Sequence, residues 1–397
     1  MEAMGAPCPA WLATHLQRAG GQVPFRCFMD LALNDPEHGF YGAGHAQIGT
    51  DGDFVTSPSL GPDFAALLAV QLIPWLKTFS PSMPLSIVEI GPGEGHLAAD
   101  LLQALQKQDA DLIDRIELVL VESAAGMRGR QEQLLQGEPS AVPVRWCSLD
   151  QLIDQPVRGV VLAHELLDAL PVDRLILRDG ELQQLMLSLG TNRQLSWTQR
   201  SLPEPLRSDL ERVCQRCNIN LPPKEAGQGW VSEWHSELPD WFSRVGAGLA
   251  EGVLLIVDYA LEARRYYTSR RREGTLMAVK GQHAGLNPLD NIGLQDLTSH
   301  LCIETVDDAA LQSGWLCRGH ARQGEALLAL GLAQRLHDLQ LLPADQLSQA
   351  FNRREALLRL VDPAGLGDFR WLLYARGDET ERFRLAGSAD NSESVHG

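Results

Sequence analysis

The chain carries 397 residues, 44% hydrophobic and 21% charged, with a formal net charge of -17. That length supports two domains or one large domain with insertions, and the acidic balance excludes non-specific nucleic-acid binding, which depends on Lys and Arg neutralising phosphates. No apolar run approaches the ~20 residues of a membrane helix, and the start MEAMGAPCPAWLATHLQRAG has neither signal nor transit character, so a cytoplasmic protein without membrane insertion is expected.

In chain order, residues 1–84 read as a helical extension ending in a loop, because GTDGDFVTSP is rich in Gly and Pro. From Leu85 short β-rich runs alternate with helical ones: SIVEI, HLAADLLQALQ, IELVLVES, GMRGRQEQLLQ, VPVRWCS and GVVLAHE. Buried strands interleaved with amphipathic helices indicate an α/β fold on a largely parallel sheet. Residues 85–171 form its first half, and residues 172–252 form an insertion. In that insertion Asp179-Gly180 between apolar runs signals a hairpin, and GWVSEWHSELPDWFSRV reads as a helix.

Residues 253–376 return to the core with GVLLIVDYA, carry a second insertion that includes the helix-like GEALLALGLAQRLHDL, and finish on FRWLLYAR as an edge strand. Residues 377–397 read as a disordered tail. Seven scattered cysteines make no disulfide framework. Cys214 and Cys217 sit one helical turn apart with no second pair or His cluster, so no metal is expected. The basic run RRYYTSRRR reads as a solvated face or mobile loop in so acidic a chain.

The turn IVEIGPGEGH carries the chemistry. Strand, glycine-rich turn and helix form a nucleotide-type site at the carboxyl edge of a sheet. Gly91, Gly93 and Gly95 follow Glu89 in the order E-x-G-x-G-x-G, whereas dinucleotide turns favour G-x-G-x-x-G. An acid at Glu89 suits S-adenosyl-L-methionine, whose amino group and sulfonium are cationic. Glu122, in VLVES with Ser123, stands at the end of the next strand, where a carboxylate can accept both ribose hydroxyls. A dehydrogenase is the competing reading of this turn, and a plain strand-to-helix connection the blandest.

Three further stretches resemble the MidA family, which includes the mitochondrial complex I assembly methyltransferases. They are FMDLALNDPEHGFYGAGHAQIGTDGDFVTSPSLGPDF, HELLDALPVDR and LNPLDNIGLQDLTSH, and the likeness runs from about Cys27 to Leu332. The resemblance implies a class I methyltransferase, Rossmann-like, with a seven-strand sheet, an N-terminal extension and two inserted helical or hairpin segments. It also implies S-adenosyl-L-methionine as cofactor and methylation of an arginine on a complex I-like dehydrogenase subunit. Glu89, Gly91, Pro92, Gly93 and Gly95 match the family's cofactor turn, and Glu122 its ribose acid. His164 replaces the family's Asn before Glu165, which leaves the role of position 164 open.

Glu165 and Asp168 follow GVVLAHE at the sheet edge and are the candidate catalytic carboxylates, spaced to share one side of a short helix. Capping and loop-holding are the alternative roles, evenly balanced for Asp168. The 49–58 loop is expected to close over the cofactor with Asp53, Phe54 and Ser57 inward and Asp53 catalytic. His38 reads as structural, and Asp258 and Tyr259 as a strand end or a substrate contact. A cofactor-binding assembly factor without catalysis and a small-molecule methyltransferase remain as alternative functions.

Overall fold

The computed structural model describes residues 6–49, 52–136, 142–285 and 287–388. Seven strands form the central sheet: β1 (Leu85–Ile90), β2 (Ile116–Val121), β3 (Val144–Cys147), β4 (Val157–His164), β5 (Leu249–Asp258), β6 (Leu316–Arg322) and β7 (Arg370–Arg376). They lie in the order β6-β7-β5-β4-β1-β2-β3. Pairing is parallel from β5 to β3 and antiparallel on both sides of β7. This is the class I methyltransferase fold.

Alternate strand residues enter different cores. Ile87, Leu118 and Leu255 pack against the helices Asp63–Lys77 and His96–Gln108. Val88, Val119 and Leu254 face the helices Leu238–Gly248 and Ile303–Gln312. Two covered faces explain why the strands are apolar at nearly every position. The order reverses between β1 and β4, and the crevice at their carboxyl ends is where such sheets bind ligands.

The first insertion builds a second, antiparallel sheet from the strands Asp173–Arg178, Glu181–Leu189, Gln194–Ser201 and Val231–Trp234. Its hairpin turns through Asp179 at φ 52° and Gly180 at φ 82°, the paired positive angles of a two-residue turn. GWVSEWHSELPDWFSRV is helical only from Leu238; its first half is the strand Val231–Trp234. Pro239 falls in the first turn of that helix, where its missing N–H costs no intrahelical bond. The described residues of 1–84, largely helical, pack into both sheets. Ala6–Pro7 and Gln22–Pro24 add strands to the second sheet, and Asp63–Lys77 is a core helix.

FRWLLYAR is an inner strand rather than an edge, since β7 lies between β5 and β6. Its run from Trp371 to Ala375 is wholly buried, as two covered faces require. Residues 377–388 are ordered against the core: Phe383 and Leu385 are buried, and Trp75 Nε1 donates to the Arg384 carbonyl at 2.9 Å. Residues 389–397 of the expected tail lie outside the described residues.

Candidate functional site

Beside β1 and β4 the crevice opens into a cavity of about 620 Å³. Gly91, Gly93 and Gly95 have φ of 65°, 54° and 87°, a region glycine enters without strain. A Cβ on Gly91 would lie 2.7 Å from Leu166 Cδ1, and one on Gly93 2.8 Å from Ile48 Cδ1. A side chain at either position would be strained by the positive φ and would have to displace the Leu166 or Ile48 side-chain tip. The helix His96–Gln108 starts from Gly95 without a side-chain cap, which leaves its first N–H groups available to a ligand.

Glu89 is buried at the cavity floor, and burial alone pushes its carboxyl up to about 8. Glu122 Oε1 accepts the Ala124 N–H at 2.8 Å and Oε2 accepts Gln131 Nε2 at 3.1 Å. Burial raises its pKa against these donors. Gln131, fully buried, also donates from Nε2 to the Gly93 carbonyl at 2.8 Å and accepts Trp146 Nε1 at 3.1 Å. It thus fixes the distance from glycine turn to Glu122. Arg130 donates to Glu94 Oε1 and to the Ala46 and Gly44 carbonyls, tying the segment before the 49–58 loop to the turn. These residues fit S-adenosyl-L-methionine. Glu89 is a buried carboxyl with no ion pair among the described residues, the glycine floor admits a close approach, and Glu122 lines the cavity as a second acceptor.

Next to this cradle stand four acids, three of them buried. Glu165 follows β4 at φ 48°, with its N–H donated to the Val257 carbonyl at 2.8 Å. Its side chain lines the cavity, and its Oε1 is buried without a hydrogen-bond partner. Asp168, Asp258 and Asp296 lie behind it, 5%, 0% and 3% exposed. Asp258 Oδ2 accepts the Leu167 and Asp168 N–H groups at 2.9 and 3.2 Å, which holds the Leu167–Ala169 turn. Asp296 accepts the Tyr41 hydroxyl at 2.9 Å.

Burial first, then repulsion from the neighbouring acids, lifts Glu165 and Asp168 well above the usual carboxylate range. Burial brings Asp258 and Asp296 up to about 7. No ion pair to Asp168, Asp258 or Asp296 occurs among the described residues, and the only one at Glu165 is with His164, Nδ1 to Oε1 at 3.5 Å. Burial lowers the His164 imidazole to about 3, so that ring is neutral and offers no charge. Its Nε2 is buried without a partner.

The structure thus brings Glu89, Gly91, Pro92, Gly93, Glu122, Ser123, His164 and Glu165 to one cavity wall. Two expectations fail, those for Asp53 and Asp168. Asp53 is not at the reacting end: its Oδ2 accepts the Gln47 N–H at 3.2 Å and its Oδ1 the Gly281 N–H at 3.0 Å, so it pins one loop to another. Ser57 is inward but faces Gln323, to which its hydroxyl is bonded at 3.3 Å, while its backbone N–H stabilises the charged form of Glu165. Asp168 lies behind the wall rather than beside Glu165, because Glu165 itself is left-handed and the chain then enters a 3-10 helix at Leu167.

Phe54 does line the cavity. His38 stacks on Trp11 with ring centres 5.0 Å apart, away from the cavity. Tyr259 packs on His300 and Phe369. Within RRYYTSRRR Arg264, Arg265, Arg270 and Arg272 are exposed, as a solvated face requires, while both tyrosines are buried in the core. Tyr41, Gln131, Arg130 and Asp296 were not singled out from the sequence. Their roles depend on contacts between distant segments, which spacing does not record.

Residues 67–321 match a family model described as "Putative S-adenosyl-L-methionine-dependent methyltransferase". A Drosophila melanogaster relative named "Protein arginine methyltransferase NDUFAF7 homolog, mitochondrial" is 28% identical over 87% of this chain and 80% of its own. The Xenopus tropicalis "Protein arginine methyltransferase NDUFAF7, mitochondrial" is 32% identical over 80% of this chain and 74% of its own. A crystal structure from Burkholderia thailandensis bound to S-adenosyl-homocysteine superposes with a TM-score of 0.81 at 26% identity, covering 96% of this chain and 95% of that one.

Proposed function

This chain belongs to the S-adenosyl-L-methionine-dependent methyltransferase family, and from that premise we propose that its methyl acceptor is an arginine of a protein partner. One observation carries the proposal: Glu165 lines the cofactor cavity with one oxygen buried and without a hydrogen-bond partner, and the three acids behind it form no ion pair among the described residues. Burial raises the pKa values of these acids, and a cationic ligand would favour their charged form and be held by it. A guanidinium supplies that charge and matches a carboxylate in a planar, two-point contact. The relatives named protein arginine methyltransferases support the same reading.

The cofactor supplies an electrophilic methyl group on a sulfonium. When it is bound, Glu89 would balance its cationic methionine end, the glycine turn would admit a backbone-close approach, and Glu122 would accept the ribose hydroxyls. Glu165 orients the guanidinium plane against that methyl, and alignment of this kind is worth on the order of 7–11 kcal/mol in favourable cases. A guanidinium cannot be deprotonated beforehand at neutral pH. Its proton leaves as the nitrogen gains the methyl, and a carboxylate with a raised pKa is a suitable acceptor. The neutral His164 beside Glu165 adds no competing charge.

The partner we propose is a subunit of a complex I-like dehydrogenase, as the resemblance to the complex I assembly methyltransferases implies. We place the reaction in the cytoplasm, a reducing compartment that suits seven free cysteines. The test is incubation of the protein with methyl-labelled cofactor in an extract of its own cells. Label on one protein band, released on hydrolysis as methylarginine, supports the proposal. Label confined to small molecules, or on another amino acid, overturns it.

A further inference from the structure

Outside the cavity, one cluster of three unlike donors stands where the helix Ile303–Gln312 meets the edge strand β6. Residues three apart on a regular strand point to opposite faces. Between Cys317 and Gly319 the pairing of β6 with β7 slips by one residue, so Arg318 is an extra residue and Cys317 and His320 come to the same face. Asp307 reaches that face from the helix. His320 Nε2 lies 3.0 Å from Asp307 Oδ1 and 3.3 Å from Cys317 Sγ, and all three donor atoms fall within 4.8 Å of one another.

We propose that Asp307, Cys317 and His320 bind a divalent cation of the zinc type, with a fourth position open to water. Imidazole, thiolate and carboxylate are the ligand set of such ions. Bond lengths of about 2.0 Å to N or O and 2.3 Å to S in a tetrahedron require N to O near 3.3 Å and N to S near 3.5 Å. The observed separations are each within a few tenths of an ångström of that. Tyr374, on the neighbouring strand β7, donates its hydroxyl to Asp307 Oδ1 at 2.8 Å. That is the outer-shell bond that orients a ligating carboxylate. Cys317 is exposed, so the ion enters from solvent without unfolding. Bound, it would clip the helix to the exposed edge of the central sheet, far in sequence from the glycine turn.

The experiment titrates the metal-free protein with Co²⁺, followed by competition with Zn²⁺. The expected result is one equivalent of Co²⁺ with thiolate-to-metal charge-transfer absorption, displaced by Zn²⁺ and lost in both Cys317→Ser and His320→Ala. Methyl-donor affinity in each variant is measured alongside and should match the wild type, which shows that the variants fold. Absence of stoichiometric binding, or a spectrum unchanged in the two folded variants, overturns the site and leaves the cluster as a His–Asp ion pair beside a thiol.

Discussion

Replacing Glu165 by Gln separates the acceptor site from the cofactor site. The side chain keeps its shape and loses its charge, so the guanidinium loses a charge-assisted contact worth about 1.5–3 kcal/mol. That corresponds to a fall in kcat/KM of roughly 10- to 150-fold. Glu89, the glycine turn and Glu122 are untouched, so cofactor affinity should change by less than about twofold. Stability should move the other way. Glu165 sits at a left-handed φ of 48° with an unpartnered buried oxygen among other acids, and an amide can donate into that cluster. Relief of about 1 kcal/mol would raise the melting temperature by roughly 1–2 °C in a chain of this size. The assays are methyl transfer to the labelled band, calorimetric titration with S-adenosyl-L-methionine and a thermal melt. Activity retained, or a loss of activity matched by an equal loss of cofactor affinity, would refute the assigned role.

Gly93→Val should weaken cofactor binding more than tenfold in calorimetry, since the new Cβ meets Ile48 and φ of 54° is strained for valine. Gln131→Leu removes two donated bonds and one accepted bond from a fully buried group. It should cost about 2–3 kcal/mol in urea unfolding and weaken cofactor binding as well. Cofactor affinity should rise between pH 5.5 and 7.5 with a slope approaching tenfold per pH unit, because Glu89 must give up its proton below about 8. Glu89→Gln should flatten that profile. Without ligand, the raised Asp258, Asp296 and Glu89 bind more protons folded than unfolded. Their stabilising contribution is complete below the ordinary carboxylate range and is lost as pH rises through about 7 to 8. The melting temperature should therefore fall from about pH 4 to about pH 8 and level off above it.

The central sheet and the cofactor half of the site were legible because each depends on a short contiguous pattern. SIVEI followed by three spaced glycines fixes strand, turn and helix within eleven residues, and Glu122 falls at the next strand end. The acceptor half was less legible. Glu165 was placed by its position after β4, but Asp168 turned away from it, since one left-handed residue undoes a helical spacing. Asp53 looked catalytic in a glycine-rich loop, yet its carboxylate is used by two backbone N–H groups, one of them more than two hundred residues away. Asp296 and Tyr41 meet through tertiary packing alone. FRWLLYAR was misplaced at an edge because an apolar run does not reveal how many neighbours a strand has.

The most direct measurement is site-resolved mass spectrometry of the labelled acceptor protein, incubated with wild-type enzyme and S-adenosyl-L-methionine, in parallel with an acceptor whose modified Arg is replaced by Lys. The account predicts one or two methyl groups on a single arginine with wild-type enzyme, little with Glu165→Gln, and none on the Lys-substituted acceptor. Methylation of the lysine in its place, or of a site other than arginine, would contradict it.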